Sequence, residues 1–528
     1  MTFDSSAYGR RLRLSAASIA ASPSFWLIAT GLLTLILYAP TLGYWFFSDD
    51  FLVLRAAHFV GPLGYIREAF DFSYYDDHAR VIDFLRDFDI PLPFVFASYR
   101  PLTWISLEGM HLVFGDKPAG YHAVSLAVHL ANTLLVWLIA SRLMRSRLGP
   151  FLAATVFALH PAYVIAVAWI TDIGTPLATG AALLSLLSFM KSTETDPPHR
   201  TWYLVSIASF GASTFFHQET IPWFVVLAAF LFLVDPAHRN RMFDLASWAI
   251  LSPYIWIAVS SFALQLWIGE HTPIYIAPQL GSHMLTHFKN FASNSLLPAI
   301  PGQAAAHFVA FVSFLVMLVA LPAMAYLPRR KRALPRGELF VILWFFASLA
   351  PLLTIDFWFD VDLNRKLYAA GPALAIFLAM FGTSLVDLVP RRLQVPSRAF
   401  ASLLLLLALA GAMVGARNSL RDLETRALEA KQFVSALRET YPSLPQGSTL
   451  YVVDAPDSLR YLGDVHLVGA VQAFYGRVDV YGLSEEEATS LETLGVAASS
   501  ECGILACQER LLTLDANDQI FRYKPGSR

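Results

Sequence analysis

Cysteine and charge are both scarce in this chain. Cys502 and Cys507 are the only cysteines among 528 residues, and both lie near the C-terminus. A disulfide framework is therefore excluded, although one local bridge between them stays open. Charged residues make up 15% of the chain, against about 25% in an ordinary soluble domain. With a formal net charge of −2 and no long tail of one sign, nothing implies a nucleic-acid partner. No 34-residue helical repeat is present. Acids are missing from the start as well: Asp4 is the only one before Asp49.

What is abundant is apolar sequence, 56% of all residues. Runs of the roughly 20 residues needed to cross about 30 Å of hydrocarbon recur throughout. They lie near 25–44, 121–141, 150–168, 173–190, 201–217, 219–234, 245–267, 304–326, 338–356, 367–388 and 399–417. The expected architecture is thus a mainly α, polytopic membrane helix bundle of about eleven spans. Arg10, Arg11 and Arg13 precede the first run as in a signal peptide, but the run is too long and lacks a small-residue cleavage site. It reads as a retained anchor.

Cytoplasmic loops collect Lys and Arg. Starting with the N-terminus inside, the inner loops carry Arg142, Arg145 and Arg147, then Lys191 and Arg200, then Arg239 and Arg241. The pattern continues with Arg329 to Arg336 and with Arg391, Arg392 and Arg398. Every alternate loop is basic, so the C-terminus is expected outside. The first outer loop, about 45–120, is long enough to carry interfacial helices. The second runs from about 268 to 303 and the third from Asp356 to Lys366. Residues 1–417 form the expected transmembrane domain. Residues 418–528 begin as an amphipathic helix with alternating charges, and then LYVV, HLVGAVQAFYG and RVDVYGL read as strand, helix and strand. They are expected to form a small outer α/β domain.

Carboxylates are costly near a bilayer, so the adjacent Asp49 and Asp50 directly after the first span call for a partner or a function. Ser48 before them reads as an N-cap, which puts both acids in a first helical turn where backbone amides favour their ionised forms. Such a carboxylate serves as a general base or a metal ligand. Simple helix-capping acids at a wet interface have the same spacing.

The order of motifs resembles the C superfamily (GT-C) of polytopic glycosyltransferases that use lipid-phosphate-linked sugars. In particular it resembles the branch containing protein O-mannosyltransferases and the transmembrane, TPR-containing O-mannosyltransferases with their bacterial relatives. The matching stretches are the Asp pair, YRPLTWISLEGMHLVFGDKPAGYH from Tyr99, FALHPAYVIAVAWI from Phe157, HQETIPW from His217 and LNRKLYAAGPALA from Leu363. The resemblance implies Asp49 as base toward the acceptor, with Asp50 supporting the site or a metal. It implies Arg365 as the residue that binds the donor phosphate, and a guanidinium suits that task through bidentate hydrogen bonds. Lys366 adds charge, and Arg100 pairs with an acid or contacts phosphate. Tyr99, His160, Glu219 and Tyr368 are candidate cavity-lining residues. The bland alternatives are basic side chains that snorkel to headgroups, a satisfied interfacial histidine and a helix-capping glutamate.

The implied reaction is inverting transfer of a sugar from a polyprenyl-phosphate donor, within membrane lipid, to a protein, lipid or glycan acceptor on the extracytoplasmic face. The implied location is a bacterial inner (plasma) membrane. Alternatives are a degenerate lipid-linked glycan binder and a lipid or glycan transporter. Departures from the family pattern occur at Thr171-Asp172-Ile173, where an arginine is missing, at Gln218 and at Asn364. No cofactor and no metal set is assigned, with a divalent metal left open. His283 and His287 share helical spacing near His271, but no further ligand completes a set in sequence.

Overall fold

Prolines and short polar breaks set where the helices of this chain stop. The computed structural model describes residues 23–60, 99–195, 197–239, 241–271, 280–296, 304–326, 335–354, 363–389, 394–460, 465–476, 478–494, 496–502, 507–513 and 517–523. The first helix, α1 (Pro23–Tyr38), ends in a 3-10 turn at Ala39–Gly43 and is followed by α2 (Asp50–Val60). Next come α3 (Pro101–Phe114), α4 (Pro118–Leu143) and α5 (Gly149–Leu159), each with proline at its first or second position. Proline fits there because the first turn lacks acceptors for its N–H groups.

After α5 the chain breaks at His160-Pro161 into two short turns of helix, Pro161–Tyr163 and α6 (Val164–Ala168), and bends by 46°. A proline in mid-helix removes one hydrogen bond and clashes with the preceding turn. The break lies in the core: Phe157, Ala158, Ala162, Tyr163 and Val164 are all buried. Ile170–Ile173 then leads into α7 (Gly174–Ser192) and α8 (Arg200–Phe216). Gly174 permits a close crossing, since a Cβ there would meet Thr103 Oγ1 at 2.5 Å. Gln218–Thr220, α9 (Trp223–Ala229) and a π turn at Phe230–Val234 follow. The remaining bundle helices are α10 (Leu245–His271), α11 (His283–Asn294), α12 (Ala304–Tyr326), α13 (Arg336–Thr354) and α14 (Gly371–Leu388).

Seven segments among the described residues are long and apolar enough to cross a membrane, or eight if the bent pair counts as one. The other three expected spans are helical but differ in kind. One, α8, has 17 residues; 219–234 is split into short pieces; and 399–417 is the first part of a longer helix. The polytopic helix bundle is borne out, and length with composition supports seven or eight crossings.

That longer helix, α15 (Gln394–Thr440), has 47 residues and is about 70 Å long. It runs unbroken through the expected domain boundary at 417/418. Leu420, Leu423, Ala427, Ala430, Phe433, Val434 and Leu437 form its buried stripe, at the three- and four-residue spacing of one helical face. The C-terminal part is α/β, as its pattern predicts. β1 (Thr449–Val453) lies between β2 (Asp479–Leu483) and β5 (Gln519–Arg522), parallel to both. α16 (Asp457–Arg460), α17 (Val465–Tyr475) and α18 (Glu485–Leu494) connect them, and β3 (Val496–Cys502) pairs antiparallel with β4 (Cys507–Thr513). The register sets Cys502 opposite Cys507, although their side chains lie outside the described residues.

One packing decides the position of this part. Helix α17 lies against α2, and Gly469 lets it approach, since a Cβ there would meet Leu52 Cδ2 at 2.9 Å. Trp45 stacks on Phe474 at 5.9 Å, and His58 Nδ1 lies 2.7 Å from the Ala473 carbonyl.

Candidate active site

The turn before α2 gives the two neighbouring acids different surroundings. Ser48 has a φ of 54°, a left-handed conformation uncommon for a residue with a Cβ. The N-cap expected at Ser48 is therefore corrected, because a cap residue needs extended backbone. The helix begins at Asp50, and the Asp49 carbonyl accepts from the Leu52 and Val53 amides. The Ser48 hydroxyl instead lies 3.4 Å from His466 Nε2.

Asp49 reaches the C-terminal part. Its Oδ1 is 2.7 Å from Nε2 of His466, a fully buried residue on α17, while the Asp49 side chain is 28% exposed. Among the described residues Oδ2 of Asp49 has no hydrogen-bond partner. Asp50 is enclosed, with an exposure of 1%. Its Oδ1 accepts from the Thr171 amide at 3.0 Å and the Thr171 hydroxyl at 2.6 Å, and its Oδ2 accepts from the Phe47 amide at 3.2 Å. Burial pushes the Asp50 carboxyl up to about 7 although the Thr171 and Phe47 bonds favour its charged form. The expectation that the helix start holds both acids ionised is thus corrected at Asp50, where loss of water outweighs the donors.

Trp169 joins this corner to the second one. Phe47 stacks against it at 6.1 Å, and the Arg365 guanidinium lies 4.5 Å from the same ring's centroid. Such a cation–π contact contributes about 0.5–2 kcal/mol. Arg365, on the 3-10 turn Leu363–Tyr368, has no hydrogen-bond or ion-pair partner among the described residues. Its neighbour Lys366 differs: Nζ is 2.7 Å from Glu219 Oε1, and the two side chains are 13% and 5% exposed. Lys366 was expected to add positive charge for phosphate. Glu219 neutralises it, while burial pulls the ammonium below its usual range.

Arg100 completes the corner. Its Nε donates to Gln218 Oε1 at 2.7 Å, and its Nη atoms have no partner among the described residues. Burial pulls Arg100 down to about 10, Glu219 and Asp172 raise it again, and Arg365 lowers it. Three cations, Arg100, Arg365 and Lys366, therefore act on one another with two acids, Glu219 and Asp172. The surplus is one positive charge, which suits an anion. Two of the family departures have clear uses: Thr171 holds Asp50 and Gln218 holds Arg100. The Asn364 side chain lies outside the described residues.

The other candidates have protein partners. Tyr99 is buried against Ile268, and its backbone N–H and C=O both bond the Gln265 side chain. Both ring nitrogens of His160 are used: Nδ1 accepts from the Ala162 amide and Nε2 donates to the Ser295 carbonyl. The Tyr368 hydroxyl is bonded to His129 Nδ1 at 2.9 Å and to Asn132 Nδ2 at 3.1 Å in the buried core. His283 and His287 touch edge to face with ring centres 5.6 Å apart, and the side chain of His271 lies outside the described residues. His466 is the residue that sequence reasoning missed; only its place in a buried-looking helical run, HLVGAVQAFYG, marked it.

No family model matches the chain. It is similar to the protein O-mannosyl-transferase Tmtc1 of Drosophila melanogaster, 37% identical over 94 residues, which is 18% of this chain and 11% of that protein. It is also similar to TMTC2 of Mus musculus, 32% identical over 151 residues, 28% of this chain and 18% of that protein. The chain thus matches under a fifth of the length of these relatives. In structure it is similar to the Archaeoglobus fulgidus oligosaccharyltransferase tethered with an acceptor peptide. That likeness has a TM-score of 0.50 and 12% identity, and covers 87% of this chain and 64% of the other. ArnT from Cupriavidus metallidurans bound to undecaprenyl phosphate also matches, with a TM-score of 0.50, 13% identity, and 91% and 97% of the two chains covered. The chain is an integral membrane protein that shares the polytopic helical fold of this oligosaccharyltransferase and of ArnT, and part of its sequence resembles the TMTC protein O-mannosyl-transferases.

Proposed function

We propose that this chain is a glycosyltransferase that moves a sugar from a polyprenyl-phosphate-linked donor to an acceptor hydroxyl or amine, with inversion, on the extracytoplasmic face. The observation that carries the reading is that one aromatic ring links the neighbourhoods of a carboxylate and a guanidinium. Among the described residues Asp49 keeps one oxygen without a partner beside His466, and Arg365 has no ion-pair partner and lies on Trp169, whose ring also meets Phe47 two residues before Asp49. The names of similar proteins support a lipid-linked donor: ArnT is described with undecaprenyl phosphate, and the oligosaccharyltransferase with an acceptor peptide.

In this reading the acceptor oxygen or nitrogen attacks the anomeric carbon while Asp49 Oδ2 takes its proton. The bond from that carbon to the donor phosphate oxygen breaks, and the electron pair leaves on the phosphate. Arg365, with the Nη groups of Arg100, stabilises that charge. A single displacement needs one base and no covalent carboxylate, hence inversion. His466 is a positioning residue: a fixed hydrogen bond to Oδ1 aims Oδ2 at the acceptor. Asp50 and Lys366 keep the two corners in shape. The cytoplasmic N-terminus and an inner-membrane location of bacterial type follow from the basic loops and the resemblance.

The test is Asp49→Asn in membranes supplied with labelled polyprenyl-phosphate sugar. Turnover should fall by about 10²–10⁴-fold, the usual size of a general-base effect, while donor binding persists. Unchanged turnover in a folded variant overturns the assignment. Wild-type protein that binds the donor without transferring it favours the glycan-binding alternative.

A further inference from the structure

A second group of polar side chains lies at the seam between α2, the α3–α4 turn and the C-terminal part, and the reading above does not use it. His58 on α2, His111 on α3 and Asp116 in the following turn each offer one ligand atom within 4.8 Å of the other two. The hydrogen bonds around them decide which atoms carry lone pairs. His58 Nδ1 lies 2.7 Å from the Ala473 carbonyl, which only accepts, so Nδ1 carries the proton. The neutral ring's lone pair then sits on Nε2, 3.2 Å from Asp116 Oδ1. Two acceptors face one another.

His111 has the same arrangement. The Tyr121 hydroxyl donates to the Gly115 carbonyl at 2.9 Å, so its oxygen accepts from His111 Nδ1 at 3.1 Å. Nε2 of His111 is left as the lone-pair nitrogen. In metal sites the second nitrogen of each histidine ligand is commonly held by a carbonyl or another oxygen; here both are. One turn before His111, Glu108 is 1% exposed, and neither of its oxygens has a partner among the described residues.

We propose that His58, His111 and Asp116 bind a divalent transition-metal cation of the Zn²⁺ class. Two imidazole nitrogens and carboxylate oxygen suit such an ion better than Ca²⁺ or Mg²⁺, which take oxygen ligands. The rival state is a proton on His58, which makes a salt bridge to Asp116 with side chains 35% and 48% exposed. A proton relieves that one contact. It leaves the His111 lone pair unmatched, whereas one cation serves His58, His111 and Asp116 together. Arg438 lines the neighbouring cavity of about 420 Å³ with His58, Asp116 and Gln472. It opposes a cation, and its guanidinium lies 5.6 Å over the Phe474 ring.

Such an ion would act as a staple. Through the His58–Ala473 bond it ties α2 to α17, the helix that carries His466 to Asp49. The site does not depend on the proposed transfer reaction.

To test it, the full chain in detergent is stripped with EDTA, titrated with Zn²⁺ against a chromogenic chelator, and melted with and without the ion. One Zn²⁺ per chain and a rise in Tm are expected. His111→Ala should weaken binding by at least about tenfold, a typical loss when a metal site is disturbed. His283→Ala, in the other histidine pair, should not. If His111→Ala fails to fold, Asp116→Asn on the exposed turn provides the same reading. Zn²⁺ that does not bind at one per chain, or binding equally retained by the site variants, overturns the proposal.

Discussion

Two corners of this molecule, Asp49–Asp50 and Arg365–Lys366, are each a pair of like charges adjacent in sequence, and each is divided in the same way. In the first, Asp50 is buried against Thr171 and the Phe47 amide, while Asp49 stays partly exposed with one oxygen free. In the second, both side chains are half-buried, but Lys366 pairs with the buried Glu219, while Arg365 lies on Trp169 with no ion-pair partner among the described residues. One member of each pair is held by protein groups, and the other keeps polar atoms without a partner among the described residues. A buried ion needs full pairing, and the same enclosure denies it to a substrate.

Apart from Asp49→Asn, the largest expected effects come from breaking the comparison at the basic corner. Arg365→Ala should reduce turnover by about a hundredfold through loss of charge stabilisation on the leaving phosphate, with little change in stability. Arg365→Lys should recover only part, because an ammonium lacks the bidentate fork. Lys366→Met should do the reverse. It leaves Glu219 buried and unpaired and should cost about 3–5 kcal/mol of stability. Adding Glu219→Gln should restore much of that loss. Denaturation of the purified variants alongside donor-binding assays separates the two; loss of donor affinity in a stable Lys366→Met protein would end the comparison.

The acidic corner gives smaller effects. His466→Leu should lower kcat by about tenfold or more, the scale of losing one orienting hydrogen bond to a catalytic group. KM for the donor should not move. His466→Gln, whose amide reaches about as far as Nε2, should recover part of the rate. A purely structural role for His466 would instead lower the amount of folded enzyme and leave kcat per folded molecule unchanged.

The smallest effect concerns Asp50 and pH. Its folded pKa is raised to about 7, above the value near 3.9 of a free aspartate. The native state therefore holds more protons than the unfolded chain between those values, and stability falls as pH rises from about 4 to 7. Asp50→Asn should remove that part of the slope in melting curves across this range. It should also cost about 1–3 kcal/mol, because the Phe47 amide loses its acceptor. An unchanged slope would show that Asp50 is not the group responsible.

Much of the fold was legible because its causes are local. A 20-residue apolar run, a proline after His160 and a β-rich run around Tyr451 act over a few residues, and the helices and strand β1 follow them. The span count was less legible, since the 201–217 and 219–234 runs are apolar enough yet short and broken in the bundle. At the site, the residue types of Asp49 and Arg365 were readable. The packing roles of Tyr99 and Tyr368 were not, because burial of a tyrosine depends on what lies across from it.

The sequence by itself determined a membrane bundle with an acid pair after the first span, a basic pair before a late one, and an α/β part behind a charged helix. Only the tertiary structure decided which acid and which base remain open, and that His466 comes from 417 residues away to hold Asp49. Neighbours along a chain share composition and charge. What separates Asp49 from Asp50, and Arg365 from Lys366, is desolvation and pairing, and these are fixed by groups that folding brings from elsewhere.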